Sequence, residues 1–266
     1  MSKLTDQHYL KTEQYKDSSN LNARVEIHKR FSTNPYGWYN WVFDTLVKLP
    51  FNAKILELGC GPAYMWKACA DRIPTDWDIT LSDLSSGMLD AAWRNLVVIG
   101  RAFTYKEIDA QAIPFEDENF DAVIANHMLY HVPDRAKAIA EVKRVLKPGG
   151  HLIAATGGEK HMHEIIDRFR QVHVDYIWES FSVEFTLENG MDQLKPYFSQ
   201  IVLSRYEDNL HVTDVALLMD YIRSGVRVTE LSESELAKVQ ADLEKELTKN
   251  GKIFITKASG LFEAVK

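Results

Sequence analysis

A short apolar segment that ends in a pair of glycines is the feature that most constrains this chain. The largely apolar run 55–58 comes directly before Gly59 and Gly61, and apolar residues return at helical spacing from Met65 onwards. This pattern predicts a strand, a tight turn and a helix. Glycine adopts positive φ angles and lets a ligand approach the backbone, while the first amides of a helix attract negative charge. The segment is therefore typical of a site for a nucleotide-type cofactor.

Position 64 bears on which cofactor this turn can hold. The dinucleotide fingerprint G-x-G-x-x-G requires a third glycine there, because helix and strand pack closely at that point. Tyr64 occupies the position, and Glu57 stands two residues before the first glycine, which gives the pattern E-x-G-x-G. The sequence therefore disfavours a nicotinamide-dependent oxidoreductase.

An acidic residue follows the second predicted strand, over 79–82. Asp83 lies 24 positions after Gly59. A carboxylate at the tip of the strand beside the glycine turn can accept hydrogen bonds from both hydroxyls of a ribose. Because Ser85 and Ser86 follow, an alternative role for Asp83 is the N-cap of the next helix. The glycine turn and the acidic strand tip, at this distance, favour the ribose interpretation.

Five segments of the chain share their order and character with one enzyme family. They are residues 55–62, 81–89, 109–115, 120–127 and 145–150. Together they resemble the class I S-adenosylmethionine-dependent methyltransferases, specifically the type 11 small-molecule branch. The resemblance covers about residues 50–157, and five ordered segments are far more specific than the glycine turn alone. It implies an α/β fold in which a doubly wound, mostly parallel seven-stranded sheet, Rossmann-like, carries a helical cap.

Strands and helices alternate through this span. Strands are predicted over 55–58, 79–82, 103–108, 120–125 and 151–155, and helices over 63–73, 86–99 and 134–146. Such alternation predicts a parallel sheet with helices on both faces, and in such sheets ligands bind beyond the carboxyl ends of the strands. Polar and glycine residues are expected together at that edge.

The residues predicted to bind S-adenosylmethionine lie at or just after these strand ends. They are Glu57, Gly59, Cys60, Gly61, Asp83, Leu84, Met88, Asp109, Ala110, Gln111 and Asn126. The resemblance implies that the glycine turn contacts the methionine part of the cofactor, whose ammonium faces Glu57. It also implies that Leu84 and Met88 pack on adenine, and that Asp109 accepts from its exocyclic amine. A strand-end cap is the alternative role for Asp109.

A methyltransferase does not need an obligatory catalytic side chain, because the cofactor already carries the activated methyl group and the protein mainly aligns the reactants. A base near neutral pKa helps when the acceptor is an amine or a phenol. His127 is the catalytic candidate and is expected to face the pocket. His131 is expected to form hydrogen bonds within its own loop. Neither histidine has the further ligands of a metal site, and none is predicted.

Composition limits the partners. The chain has 266 residues, a formal charge of −7 and two cysteines, Cys60 and Cys69. The negative charge argues against nucleic acid, as does His-Met-Leu after Asn126, where some nucleic-acid and protein amino-methyltransferases have Pro-Pro-Tyr. Two cysteines provide no disulfide framework, and no apolar run has the length of a signal core or membrane span. We therefore expect a cytoplasmic protein with a small-molecule acceptor; the sequence does not fix its oligomeric state.

The segments outside the core are expected to complete the fold. Residues 1–50 are predicted to form an N-terminal helical cap, 51–157 the cofactor-binding core, and 158–266 the rest of the sheet with acceptor-pocket insertions in the same domain. Helices are predicted over 21–31, 36–49, 164–180, 188–198, 213–223 and 232–248, and a sixth strand over 200–206. Residues 252–256 and 260–265 are expected to form either the last strand or a terminal hairpin.

Several side chains in these outer segments admit two interpretations. Trp38 and Trp41 either line a substrate pocket or pack in the core, Tyr15 and His28 are lid candidates, and His161 is expected at a solvated helix start. A protein or RNA methyltransferase, or a non-catalytic S-adenosylmethionine-binding protein, remains the alternative to an enzyme that methylates a small molecule.

Overall fold

The structure is a computed structural model that describes residues 3–173, 184–225 and 231–266. The helix predicted over 164–180 therefore lies only partly within the described residues, and it is described as far as Val172.

A seven-stranded sheet forms the centre of the molecule. Its strands are β1 Lys54–Leu58, β2 Asp78–Asp83, β3 Thr104–Glu107, β4 Phe120–Asn126, β5 Leu146–Gly157, β6 Gln200–Val212 and β7 Ile253–Val265. The strand order is β3-β2-β1-β4-β5-β7-β6. The first five strands are parallel, and β7 is antiparallel to both of its neighbours. The predicted mostly parallel, doubly wound sheet is confirmed.

Helices cover both faces of the sheet and its carboxyl edge. They are α1 Gln7–Tyr9, α2 Ser19–Phe31, α3 Trp38–Asp44, α4 Tyr64–Ala68, α5 Ser86–Leu96, α6 Arg135–Val145, α7 His163–Val172, α8 Gly190–Leu194, α9 Val215–Arg223 and α10 Glu233–Asn250. Three predicted helices are shorter than expected: that over 36–49 is confined to α3, that over 188–198 is confined to α8, and that over 63–73 ends at Ala68, before a 3₁₀ turn over Ala70–Arg72.

Alternate residues of the inner strands enter different cores, because side chains of a strand point to opposite faces. Leu56 packs with α6 on one face, whereas Ile55 packs with α3, α4 and α5 on the other. The side chains of Leu56 and Ile55 are both fully buried. The apolar run before the glycine turn is therefore a central strand covered on both sides, as parallel strands of α/β proteins usually are.

The last two strands are longer than predicted, and their extra length supports a group of four helices, α2, α7, α9 and α10, which together form the cap of the cavity. Pairing between β5 and β7 ends at Gly157 and Ser259, whereas β6 and β7 remain paired as far as Val212 and Ile253. The projecting part is a two-stranded arm. A third core joins this arm to α2, α7, α9 and α10. The expected end of the sixth strand at Tyr206 and the expected break between 256 and 260 were wrong, because the pairing continues through both points.

Among the described residues, none of the helices is both long enough and apolar enough to cross a bilayer.

Candidate functional site

A large cavity opens at the carboxyl edge of the sheet. Its volume is about 1100 Å³, and its walls come from the N-terminal segment, α2, the ends of β1, β2 and β4, and the cap helices α7 and α9. One end lies against the glycine turn, and the other lies under the cap. Of the predicted site residues, His127 and all the cofactor-binding candidates except Gln111 line this cavity.

The glycine turn is tied directly to the tip of β2. The carboxylate of Asp83 accepts hydrogen bonds from the backbone N–H of Gly61 and of Ser85, each at 2.9 Å. The N-cap of α5 is Ser85, whose hydroxyl accepts from the backbone N–H of Met88. The alternative role of Asp83 as the N-cap of this helix is therefore wrong, and its carboxylate lines the cavity.

The backbone of the turn has little spare space. Gly59 has a φ of 63°, and a Cβ atom placed on it would lie 2.7 Å from Cβ of Met128. The backbone N–H of Cys60 donates to Ser82, and that of Gly61 to Asp83. The turn thus presents a closely approachable backbone, while its amides at 60 and 61 have partners within the protein.

Glu57 lies beneath the turn and is 3% exposed. Its carboxylate accepts from Nε1 of Trp66 at 2.5 Å and from Nδ2 of Asn126 at 3.3 Å. Burial raises the pKa of Glu57 to about 7, although both hydrogen bonds act in the opposite direction. Oδ1 of Asn126 is buried and has no hydrogen-bond partner among the described residues. This corner therefore combines an acid that titrates near neutrality with an unsatisfied acceptor.

Replacing Glu57 by Gln should change how stability depends on pH. The unfolded carboxyl ionises near pH 4.5 and the folded one near 7, so the folded chain binds more protons between these values. Stability from this group is therefore complete below pH 4.5 and is lost as the pH rises to 7, by about 3 kcal/mol. Urea unfolding at several pH values should show a flatter curve for Glu57→Gln than for the wild type. If the stability of the wild type and of Glu57→Gln changed with pH in the same way, the raised pKa of Glu57 would be contradicted.

The end of β3 leads to a second carboxylate that lines the cavity. Asp109 accepts from the backbone N–H of Gln111 at 2.9 Å and from Nε2 of Gln7 at 3.0 Å. Burial alone would raise the pKa of Asp109, but the hydrogen bonds from Gln111 and Gln7 hold it below its ordinary value. The carboxylate thus caps its own loop, as the alternative interpretation expected, and remains at the cavity wall. The Gln111 side chain donates hydrogen bonds to the carboxylate of Asp109 and does not line the cavity.

The N-terminal segment lines the cavity and contacts His131. Nδ1 of His131 lies 2.8 Å from the carbonyl oxygen of Leu4, and Nε2 lies 3.0 Å from the hydroxyl of Tyr15. The expectation that His131 bonds within its own loop is wrong, because both ring nitrogens reach the N-terminal segment. Tyr15 also accepts from Arg24 of α2, at 3.2 Å. Specific contacts thus fix the position of Tyr15 at the cavity wall, and its role as a lid stays a prediction.

His127 follows β4 and faces the cavity, as predicted. It adopts a φ of 53°, which is uncommon for a residue other than glycine and often accompanies function. Its ring centroid lies 5.3 Å from that of Trp38, which lines the same wall, whereas Trp41 packs on Tyr206. Burial, and then the charge of Lys257, lower the pKa of His127 to about 4. The imidazole is therefore neutral at physiological pH.

Two further histidines and a buried ion pair complete the cap end of the cavity. His28 of α2 and His161, which precedes α7, have ring centroids 6.3 Å apart. Lys257 of β7 pairs with Asp208 of β6, and their side chains are 6% and 0% exposed. The prediction of a solvated helix start was wrong for His161, because this residue lines the cavity and its Nδ1 is buried. His163, two residues later, is partly exposed.

The described residues contain no group of three or more histidine, cysteine or acidic side chains arranged to hold a metal ion.

Comparison with known proteins identifies the core. A family model described as a methyltransferase domain matches residues 56–154, which span β1 to β5 and most of the cavity floor. Residues 56–154 are therefore similar to a methyltransferase domain. The matched stretch covers the five ordered segments apart from residue 55, and it contains every predicted cofactor-binding residue.

Relatives of the methyltransferase domain are similar over part of their length. The chain is 32% identical over 140 residues to a demethylmenaquinone methyltransferase of Renibacterium salmoninarum, covering 53% of this chain and 54% of the relative. It is 35% identical over 104 residues to a ubiquinone biosynthesis O-methyltransferase of Alkalilimnicola ehrlichii, covering 39% and 41%. The chain thus matches about half, or less, of the length of these relatives.

Solved structures share the fold of the methyltransferase domain. The YcgJ protein of Bacillus subtilis has a TM-score of 0.59 and 17% identity, covering 86% of this chain and 97% of that one. Phosphoethanolamine N-methyltransferase 2 of Haemonchus contortus, in complex with S-adenosyl-L-methionine, has a TM-score of 0.61 and 20% identity, covering 100% and 60%. At these identities the similarity establishes the fold alone.

Proposed function

We propose that this chain transfers the methyl group of S-adenosylmethionine to a small-molecule acceptor. The observation that carries the proposal is the carboxylate of Asp83 at the tip of β2, held against the glycine turn and exposed to a cavity of about 1100 Å³. A cavity of this size can hold a nucleoside-type cofactor together with a small acceptor.

The residues of the glycine-turn end fit such a cofactor. Asp83 retains acceptor capacity for ribose hydroxyls, since a carboxylate has about four lone-pair sites and two are used by backbone N–H groups. Glu57 and the free Oδ1 of Asn126 offer oxygen atoms to an ammonium group. Leu84, Met88 and Ala110 supply apolar wall for a purine, beside Asp109.

S-adenosylmethionine, when bound, supplies a methyl group that is already activated for in-line displacement. The chain's own contribution is to orient both reactants and exclude water. The lid formed by the N-terminal segment and the cap helices α7 and α9 surround the acceptor end, which supports a small molecule rather than a polymer. The imidazole of His127 is neutral and can accept a proton from the acceptor, but its pKa of about 4 makes it a weaker base than an ordinary histidine.

The alternatives differ in what this cavity must admit. A protein or RNA methyltransferase needs an open groove with complementary charge, and the net charge of −7 does not favour RNA. A non-catalytic protein would bind the cofactor without turnover.

We also propose a cytoplasmic location, since Cys60 and Cys69 are both free thiols. The units 1–50, 51–157 and 158–266 remain our proposed division.

Calorimetry tests the cofactor assignment. S-adenosylmethionine and its demethylated product should bind saturably, and NAD should not. Because the cofactor ammonium favours ionised Glu57, binding at pH 6 should also release close to one proton, which appears as a dependence of the heat on buffer ionisation enthalpy. Glu57→Gln should remove this release. Failure of both ligands at millimolar concentration would contradict the proposal.

A further inference from the structure

Three histidines from different parts of the chain line the cavity, and two of them, His28 and His161, have ring centroids 6.3 Å apart. His28 comes from α2, His127 follows β4, and His161 follows β5. The ring of His28 also makes an edge contact with Tyr221 of α9, with centroids 6.0 Å apart. The methyltransferase reaction described so far uses only His127, so the positions of His28 and His161 call for a separate function.

Both of these histidines have an unused ring nitrogen. Nδ1 of His28 and Nδ1 of His161 are buried, and neither has a hydrogen-bond partner among the residues that the structure describes. A buried polar atom without a partner is costly, so such atoms usually find one in the working protein. Because both residues line the cavity, a ligand under the cap can provide these partners.

The surroundings of the imidazoles decide the charge of that ligand. Burial, and then the charge of Lys257, lower the pKa of His28 well below its ordinary value. Asp208, the nearby acid, is already engaged by Lys257, Ser32 and the backbone of Thr33. A cationic ligand at this end would therefore find no spare carboxylate with which to pair, because Asp208 is already taken by Lys257.

The other carboxylates that line the cavity do not face the cap end. Glu57, Asp83 and Asp109 belong to the glycine-turn end, and Glu26 pairs with Arg30 on the outer part of α2. The cap end therefore disfavours a protonated amine. Neutral imidazole is both a donor and an acceptor, which suits a hydroxyl group.

We propose that His28 and His161 bind the acceptor through a hydroxyl group, and that the acceptor enters as an uncharged or anionic hydroxyl compound of the phenol or enol class rather than as a cationic amine. The apolar side chains of Ile165 and Phe169 on α7 and of Ile222 on α9 line the same end and pack against the body of the compound. This inference rests on the proposed function, because it names the substrate class of the same cavity.

Binding of three matched probes tests the inference. In calorimetry with saturating S-adenosylhomocysteine, 4-nitrophenol should bind roughly tenfold more tightly than 4-nitrotoluene, since two neutral hydrogen bonds are made. Protonated 4-nitrobenzylamine should bind more weakly than either. In the double variant His28→Leu/His161→Leu the preference for 4-nitrophenol over 4-nitrotoluene should disappear. His163→Leu, two residues away and partly exposed, should keep it.

The outcomes separate this inference from the proposed function. If S-adenosylhomocysteine binds but 4-nitrobenzylamine binds as tightly as 4-nitrophenol, the hydroxyl assignment is wrong and the cofactor assignment stands. An unchanged preference in the double variant, with its thermal unfolding intact, would also overturn it. If the double variant fails to fold, His28→Phe and His161→Phe, which keep a planar ring and remove its nitrogen atoms, are measured singly. Each should reduce the preference by a few fold, and no reduction in either would overturn the inference. Absence of S-adenosylhomocysteine binding in the wild type would instead remove the proposed function.

Discussion

Replacing Asp83 by Ala should lower the affinity for S-adenosylmethionine by about 100-fold, because the change removes charge-assisted hydrogen bonds worth about 1.5–3 kcal/mol each. The carboxylate acts twice in the proposed complex. It fixes the Gly61 amide at 2.9 Å and so holds the glycine turn, and its remaining lone pairs face the expected ribose. Calorimetric titration of the variant with the cofactor measures the loss.

The same strand provides a control for this experiment. Asp78 begins β2 at the opposite edge of the sheet and is exposed. Asp78→Ala should bind the cofactor as the wild type does. Thermal unfolding of both variants separates lost binding from lost folding. Normal affinity in folded Asp83→Ala would mean that this carboxylate only supports the turn, and the ribose assignment would fail.

A second large effect is expected at the cap, where Asp208→Asn should lower the free energy of unfolding by about 3–5 kcal/mol. The carboxylate of Asp208 is completely buried and pairs with Lys257. It also accepts from the backbone N–H of Thr33, Asn34 and Asn209, at 2.8–2.9 Å. These bonds and Lys257 hold the pKa of Asp208 below its ordinary value despite burial. The amide removes the charge and leaves the Lys257 ammonium buried without its partner.

Urea unfolding at pH 7 measures this change. A matched control is Asp192→Asn, which breaks an ion pair with Lys195 whose side chains are 78% and 62% exposed, and which should have little effect. The double variant Asp208→Asn/Lys257→Met should be more stable than Asp208→Asn alone, because no charge is then left unpaired. If Asp208→Asn unfolds at the same denaturant concentration as the wild type, the pair does not stabilise the cap.

The sequence predicted the structure best where a short, continuous segment is enough to identify a structural element. The apolar run 55–58, the glycine turn and Asp83 are each local patterns, and in parallel sheets the strand ends must meet at one edge. For this reason the residues that line the glycine-turn end of the cavity could be predicted almost one by one, although their binding of a cofactor stays a prediction. Gln111 is the exception, because its place depends on which way a loop side chain turns to reach Asp109.

The cap end depends on contacts between distant residues, and these could not be predicted. Asp208 and Lys257 face each other across β6 and β7, which is a favourable cross-strand pair. Each strand was predicted to end or break before reaching its charged residue, so the pair was missed. His131 and His161 were misassigned for a related reason: local spacing does not reveal a partner in the N-terminal segment or under the cap.

The length of the two-stranded arm of β6 and β7 also limits the size of the acceptor that the proposed function requires. Its backbone pairing runs without interruption from the sheet to the cap, so its length sets the distance between the methyltransferase domain and the cap helices. Adding two residues to each strand would raise the cap by about 6.6 Å and keep every side chain on its present face. Adding one would turn the apolar face outward. Variation in acceptor size can therefore proceed in two-residue steps of this arm, while the cofactor end stays unchanged.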